Sequence, residues 1–167
     1  MTATTPESCT PAWAHSTGVI DLQPLATVPD LASLPDRLMV QETAFRYAFA
    51  YDERRLDVIE SLLTETVTFS YRVGEGPSSS ETGRSAVIDW LGGIMQSQTD
   101  QRRHVLGTVL VEALTSTEAV VLAYNTIYGV EKDAQLITTG LYRFRMVKEE
   151  GNLWKIDDAI DALDRPF

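Results

Sequence analysis

The last third of the chain is strand-rich over four long runs, of which the first alternates apolar and polar residues and the second is rich in Val, Leu and Tyr. They are Arg103 to Leu114, Glu118 to Tyr128, Leu136 to Lys148 and Leu153 to Ile160. Alternation with a period of two puts one set of side chains on each face of a strand. The breaks between runs are short. Thr115-Ser-Thr closes the first, and Glu149-Glu-Gly-Asn makes a tight turn before the last. Long strands joined by short turns pair antiparallel with their neighbours, so this part of the chain is a meander. A sheet with an apolar face needs cover on that face, and the cover has to come from upstream.

Upstream, the apolar period changes from two to about three and a half. Pro35 and Asp36 open a first helix, and from Leu38 to Tyr51 the positions Leu38, Ala44, Phe45, Ala48 and Phe49 form its expected inward face. A second helix is predicted from Arg54 to Leu63, burying Leu56, Ile59, Leu62 and Leu63. Thr66 to Arg72 alternates as a strand, and Gly74 to Ser80 is a Gly/Pro/Ser loop. A third helix, Ser85 to Gln96, turns Val87, Ile88, Leu91 and Ile94 inward. Helices first and a meander later predict an α+β fold. The helices pack on one face of a strongly curved, mostly antiparallel sheet, and a helix across its mouth encloses a cavity.

With 167 residues the chain suits one domain. Residues 1–35 differ from the rest, since they hold Pro6, Pro11, Pro24, Pro29 and Pro35 and show no period. They read as an N-terminal arm ahead of a single domain at 36–167, with Trp13, Val19, Ile20, Leu22 and Leu25 as the part that packs on something. A net charge of −10 repels phosphate backbones, so no nucleic-acid partner is expected. Cys9 has no partner for a disulfide, and His15 and His104 are too few for a histidine zinc site unless carboxylates complete it, so no metal is expected. No apolar run approaches the roughly 20 residues of a membrane span, and no leader pattern is visible, which predicts a cytoplasmic protein. Neither a phosphate-binding glycine loop nor a GxSxG elbow is present. Asp157, Asp158, Asp161 and Asp164 fit no calcium loop and read as a solvated strand end.

Four stretches carry a likeness. They are Phe45-Arg-Tyr-Ala-Phe-Ala-Tyr-Asp, Asp57-Val-Ile-Glu-Ser-Leu-Leu leading into Thr66-Val-Thr-Phe-Ser-Tyr, Gly83-Arg-Ser-Ala-Val-Ile-Asp-Trp-Leu, and Arg102-Arg-His-Val-Leu-Gly followed by the meander with Gly140-Leu-Tyr and Asn152-Leu-Trp-Lys-Ile. In this order they resemble the SnoaL-like and scytalone dehydratase-like branch of the nuclear transport factor 2 (NTF2-like) superfamily, over roughly residues 36–161. The resemblance implies a cone-shaped fold around a cavity that works without a cofactor, and a homodimer or homotrimer. That fold hosts dehydratases, isomerases, cyclases, epoxide hydrolases and proteins with no chemistry, so the site must decide between them. In the dehydratases a Tyr and an Asp end the first helix, a Tyr sits on the first strand and a His opens a later strand. Those motifs fall here on Tyr47 or Tyr51, Asp52, Tyr71 and His104. Phe69, Trp90 and Tyr142 are the implied apolar contacts of a small hydrophobic substrate. The fungal relatives carry a second histidine, and bile-acid dehydratases an Asp, where this chain has Ala123-Tyr-Asn-Thr-Ile-Tyr-Gly. Asn125 or Tyr128 is then the candidate polar group on that strand.

Each of these residues also has an ordinary role. His104 is the only histidine expected in the folded part, and histidine as a residue type suits a proton carrier near neutral pH, but a strand-start histidine can also sit at the surface. Asp52 either caps the second helix or orients the His104 ring. The tyrosines either fill core or donate to a developing enolate oxygen. The expected function is dehydration of a small cyclic or polyketide-like hydroxy-carbonyl compound. The alternatives are an isomerase or cyclase with the same first half-reaction, and a binding module without chemistry.

Overall fold

The computed structural model describes residues 12–24 and 28–166, so the readings of Cys9 and Leu25 lie outside the described residues. A one-turn helix α1 (Trp13–Ser16) and a 3-10 turn (Leu31–Ser33) precede α2 (Leu34–Asp52) and α3 (Leu56–Leu62). Then follow β1 (Leu63–Val73), β2 (Ser79–Thr82), α4 (Arg84–Ser97), β3 (Gln101–Leu114), β4 (Glu118–Val130), β5 (Ala134–Lys148) and β6 (Trp154–Leu163). The six strands form one sheet in the order β2-β1-β6-β5-β4-β3. Only β1 and β6 run parallel, because the chain leaves β1, crosses through α4 and returns with the meander's last strand beside β1. β2 occupies the C-terminal end of the expected loop and forms a short exposed edge.

The sheet bends where its ladders slip. On β3 the pairing shifts between Gly107 and Leu110, with Thr108 at φ 48. Such bulges add twist and let a sheet curl around a core. Strands β5 and β6 approach too closely for a side chain at Gly140, where a Cβ would lie 2.4 Å from the Ala162 carbonyl oxygen.

One face of the sheet carries Val67, Phe69, Val121, Phe144, Met146 and Ile156 against α2 and α4. Burying each such side chain contributes roughly 1.5–3 kcal/mol. The helix that supplies most of the cover differs from its sequence reading. Ala44 and Ala48 are buried as expected, but Leu38 and Phe49 are 58% and 73% exposed, and Phe45 also faces out. The buried stripe is Val40, Ala44, Tyr47 and Tyr51, spaced four, three and four residues apart. Both stripes have helical period, and periodicity alone cannot say which one faces the sheet. The tyrosine stripe faces in because it meets an aromatic cluster there. Tyr47 packs on Phe69, Tyr142 and Phe144 at centroid distances of 5.9, 5.8 and 5.5 Å.

The opposite face of the sheet is partly covered by the N-terminal arm. Ala14 and Val19 pack with Leu141 and Ala162 in a second cluster, flanked by Trp13, Ile20 and Ile160. The Trp13 indole donates to Asp164 Oδ1 at 3.0 Å and fixes the arm's direction. Among the described residues, no helix is long and apolar enough to cross a membrane.

Candidate active site

The end of α2 and the start of β3 are tied together by polar contacts. Gln101 Nε2 donates to the Asp52 carbonyl at 2.6 Å, satisfying one of the acceptors a helix end leaves over. Arg54, in the left-handed region at φ 53, reaches the carbonyls of Gln98 and Asp100 at 2.8 and 3.0 Å. These contacts set the register between Asp52 and His104. Asp52 does not cap α3, whose N-cap residue is Arg55; it sits in the last turn of α2. A carboxylate there opposes the helix dipole, so another interaction has to hold it.

That interaction is with His104. Asp52 Oδ1 lies 2.6 Å from the ring Nδ1, and Oδ2 accepts the His104 backbone N–H at 2.8 Å. The two side chains are nearly closed to solvent, at 2% exposure for His104 and 8% for Asp52. A carboxylate accepts and does not donate, so Nδ1 carries a proton, and in the neutral ring the lone pair is then on Nε2. Two-point attachment by one carboxylate fixes both the tautomer and the ring plane. The ring packs edge-on to Tyr51 at 4.7 Å and tilted to Tyr142 at 6.4 Å.

His104 borders a small cavity of about 40 Å³. α2 contributes Tyr47 and Tyr51, and β1 contributes Phe69 and Tyr71. Trp90, Leu91 and Ile94 of α4 close one side, and Tyr142 and Asp161 form the floor. Seven of the ten residues named from the sequence therefore line it, and Asp52 stands behind His104. Asn125 lies on the same face of the sheet, one row away from Tyr142; it is 1% exposed, and neither its Oδ1 nor its Nδ2 has a hydrogen-bond partner among the described residues. Tyr128 does not join them. It is 36% exposed and does not line the cavity, because it stands one residue out of phase with Asn125 and Ile127 and so faces the other side of β4.

Asp161 was missed. The sequence reading ended the last strand at Ile160 and placed Asp161 in solvent with Asp157, Asp158 and Asp164. The strand runs on to Leu163, and Asp161 shares the inward phase of Ala159 and Leu163. Its register partners are Tyr71 on β1 and Tyr142 on β5. Burial pushes its carboxyl up to about 7, against a smaller pull downward from the Tyr142 hydroxyl. Oδ1 is buried without a hydrogen-bond partner. An acidic residue in phase with flanking apolar residues was the signal available in the sequence.

The tyrosines share this environment. Burial drives the Tyr47 and Tyr142 hydroxyls well above their ordinary range, reinforced by the nearby Asp161 carboxyl. Burial pushes Tyr51 up to about 12, while a hydrogen bond from Gln98 at 3.1 Å opposes the rise. These hydroxyls stay protonated and are therefore able to donate hydrogen bonds. A larger depression of about 630 Å³ lies beyond Ile94, lined by Asp100, Arg102, Glu131, Lys132 and Asp133. Arg102 and Asp100 pair there at 2.8 Å, and Ile94 also borders the cavity that holds His104. Among the described residues, no group of three His, Cys, Asp or Glu stands close enough to hold a metal ion.

Comparison with known proteins agrees with this architecture. Residues 32–159 match the SnoaL-like domain. A candidate scytalone dehydratase from Novosphingobium aromaticivorans superposes with a TM-score of 0.68 at 20% identity, covering 81% of this chain and 91% of that one. An NTF2-like protein with a cystatin-like fold from the same organism gives 0.62 at 18% identity, covering 82% and 92%. A candidate dehydratase of the NTF2-like family from Streptomyces avermitilis gives 0.65 at 16%, covering 79% and 98%. No curated protein matches the sequence. At these identities the superpositions establish the fold, and the match across most of the chain establishes the family: this protein belongs to the SnoaL-like domain family.

Proposed function

We propose that the protein is a cofactor-independent dehydratase acting on a small cyclic β-hydroxy ketone. The observation that carries this reading is the grip of Asp52 on His104 through both carboxylate oxygens, beside a cavity lined by four tyrosines. Nε2 removes the proton next to the carbonyl. Charge then develops on the carbonyl oxygen, and hydroxyl donors such as Tyr51 and Tyr71 stabilise it. A base of this kind contributes about 10²–10⁴-fold, and one oxyanion donor about 10²–10³-fold. Asn125 supports the reading, because a buried amide with no partner costs roughly 1–3 kcal/mol per unpaired group and a polar substrate atom relieves it. The structural neighbours described as dehydratases agree in kind.

The cavity of about 40 Å³ holds about one water, far below the roughly 300 Å³ at which ligand pockets begin. Substrate therefore has to displace a wall. Ile94 borders both the cavity and the outer depression, so the α4 side is the route of approach.

The test is wild-type protein against His104→Ala with β-hydroxycyclohexanone in deuterated water. Mass analysis of ketone and product reads α-proton exchange and loss of water separately. The reading predicts both in the wild type and neither in the variant. Exchange without loss of water makes the protein an isomerase or cyclase, and neither process in the wild type makes it a binding module.

A further inference from the structure

A dehydration needs two proton transfers, and His104 accounts for one. The departing hydroxide must also be protonated. The three buried tyrosines are poor sources, because Tyr51 is pushed up to about 12 and Tyr47 and Tyr142 are held well above their ordinary range. A separate acid in the cavity would supply that proton while His104 keeps the one it has taken.

We propose that Asp161 is the general acid of this site, delivering its carboxyl proton to the leaving hydroxyl while His104 takes the α-proton. This rests on the dehydratase reading. Three geometric facts carry it. Asp161 lines the same cavity as His104. Its Oδ1 is buried and unpartnered among the described residues. Its place on the middle strand of three, between Tyr71 and Tyr142, fixes it on the floor. Burial supports the same assignment by keeping the carboxyl protonated into the neutral range, where an acid catalyst is most effective.

The step balances. The α C–H bond breaks and its proton goes to Nε2. The C–H electrons become the new C=C bond, and the C–O bond breaks. The leaving oxygen takes the Asp161 proton and departs as water. The enzyme is left with an imidazolium and a carboxylate, and a proton passing from the first to the second through water restores it. The groups facing Asp161 suit this cycle. Tyr47 and Tyr51 face it from α2, with Asp52 behind. Tyr71 flanks it on β1 and Tyr142 on β5. His104 shares the cavity from β3, with Arg102 next to Tyr51. The α4 residues lining the cavity, Trp90, Leu91 and Ile94, carry no titratable group.

The experiment uses full-length Asp161→Asn and two probes that differ only in leaving group. β-Hydroxycyclohexanone expels hydroxide and needs an acid; β-acetoxycyclohexanone expels acetate and does not. The variant is expected to lose about 10²–10⁴-fold in enone formation from the first probe. It should keep elimination of acetate and α-proton exchange within a few-fold of wild type. Infrared difference spectra of wild type minus variant should show a protonated carboxyl band near neutrality that disappears at higher pH. Full hydroxide elimination by the variant overturns this assignment alone, as does equal loss on both probes or a carboxyl already ionised at acidic pH. A wild-type protein that neither exchanges nor eliminates overturns the dehydratase reading, and this assignment with it.

Discussion

Asp161→Asn should stabilise the protein at pH 8 and lose that advantage by pH 4. The carboxyl is held near 7 in the folded protein, against an ordinary value of 3.8. Between those values the folded state keeps a proton that the unfolded state has released, so wild-type stability falls as pH rises through that window. At about 1.4 kcal/mol per pH unit, the full difference is about 4 kcal/mol. Asparagine carries no charge, retains the side-chain volume and still accepts from Tyr142. The variant therefore escapes the penalty. For a domain of this size the gain corresponds to roughly 8–16 °C in melting temperature as a ceiling. Urea unfolding followed by circular dichroism at several pH values between 4 and 8 measures the gap directly. Contributions from the other ionisable groups are common to both proteins and cancel in the difference. A gap that stays constant across this range refutes the buried-acid assignment. A protein that gains stability and loses hydroxide elimination through one substitution shows the usual conflict between function and stability.

Four other outcomes are expected. Asp52→Asn should keep the fold but lower α-proton exchange by about 10²–10⁴-fold, since the amide no longer fixes the Nδ1–H tautomer or stabilises the imidazolium; exchange kinetics in deuterated water measure this. Gly140→Ala should destabilise the fold by more than about 2 kcal/mol, because the added methyl meets backbone at Ala162 and Leu163 rather than a movable side chain; denaturant unfolding reads the loss. Light scattering at micromolar concentration should give a homo-oligomer. Exposed Val105, Leu110, Tyr124, Tyr128 and Leu136 crowd the strands beyond the arm, and a one-chain mass ends that reading. Deleting residues 1–29 should lower the melting temperature yet leave a cooperative transition, because α1 belongs to a cluster separate from the main core; a calorimetric scan with no transition would make the arm integral.

The architecture was legible because strand and helix periods differ and the chain keeps them apart. The strand-like runs from Arg103 onward became β3 to β6, with ends shifted by a few residues. Two features escaped. The pairing of β1 with β6 is set by how the returning chain lies against the first strand, and no local pattern encodes it. The inward face of α2 was assigned to Leu38, Ala44, Phe45, Ala48 and Phe49 on their three- and four-residue steps, a spacing that the buried stripe shares, and only the two alanines are buried. The sheet offered aromatic partners to Tyr47 and a histidine ring to Tyr51, and those contacts decide the rotation of the helix.

The site divides along the same line. His104 and Asp52 were readable through the family resemblance of their stretches, since each residue type alone also has an ordinary role there, and the structure places them 2.6 Å apart. Asp161 was read as one of four acids near a solvated end, and three of them do have polar partners. Asp157 takes a hydrogen bond from Thr64, Asp158 from Arg143, and Asp164 from Trp13. The distinction lies in phase. A register slip between Arg145 and Met146 shifts the β6 pairing ahead of Ala159, so counting inward positions from Ile156 assigns Asp161 to the wrong face. Counted back from Leu163, it falls inside. A carboxyl in that position is costly, and the proposed use of its proton gives the strand a reason to carry it there.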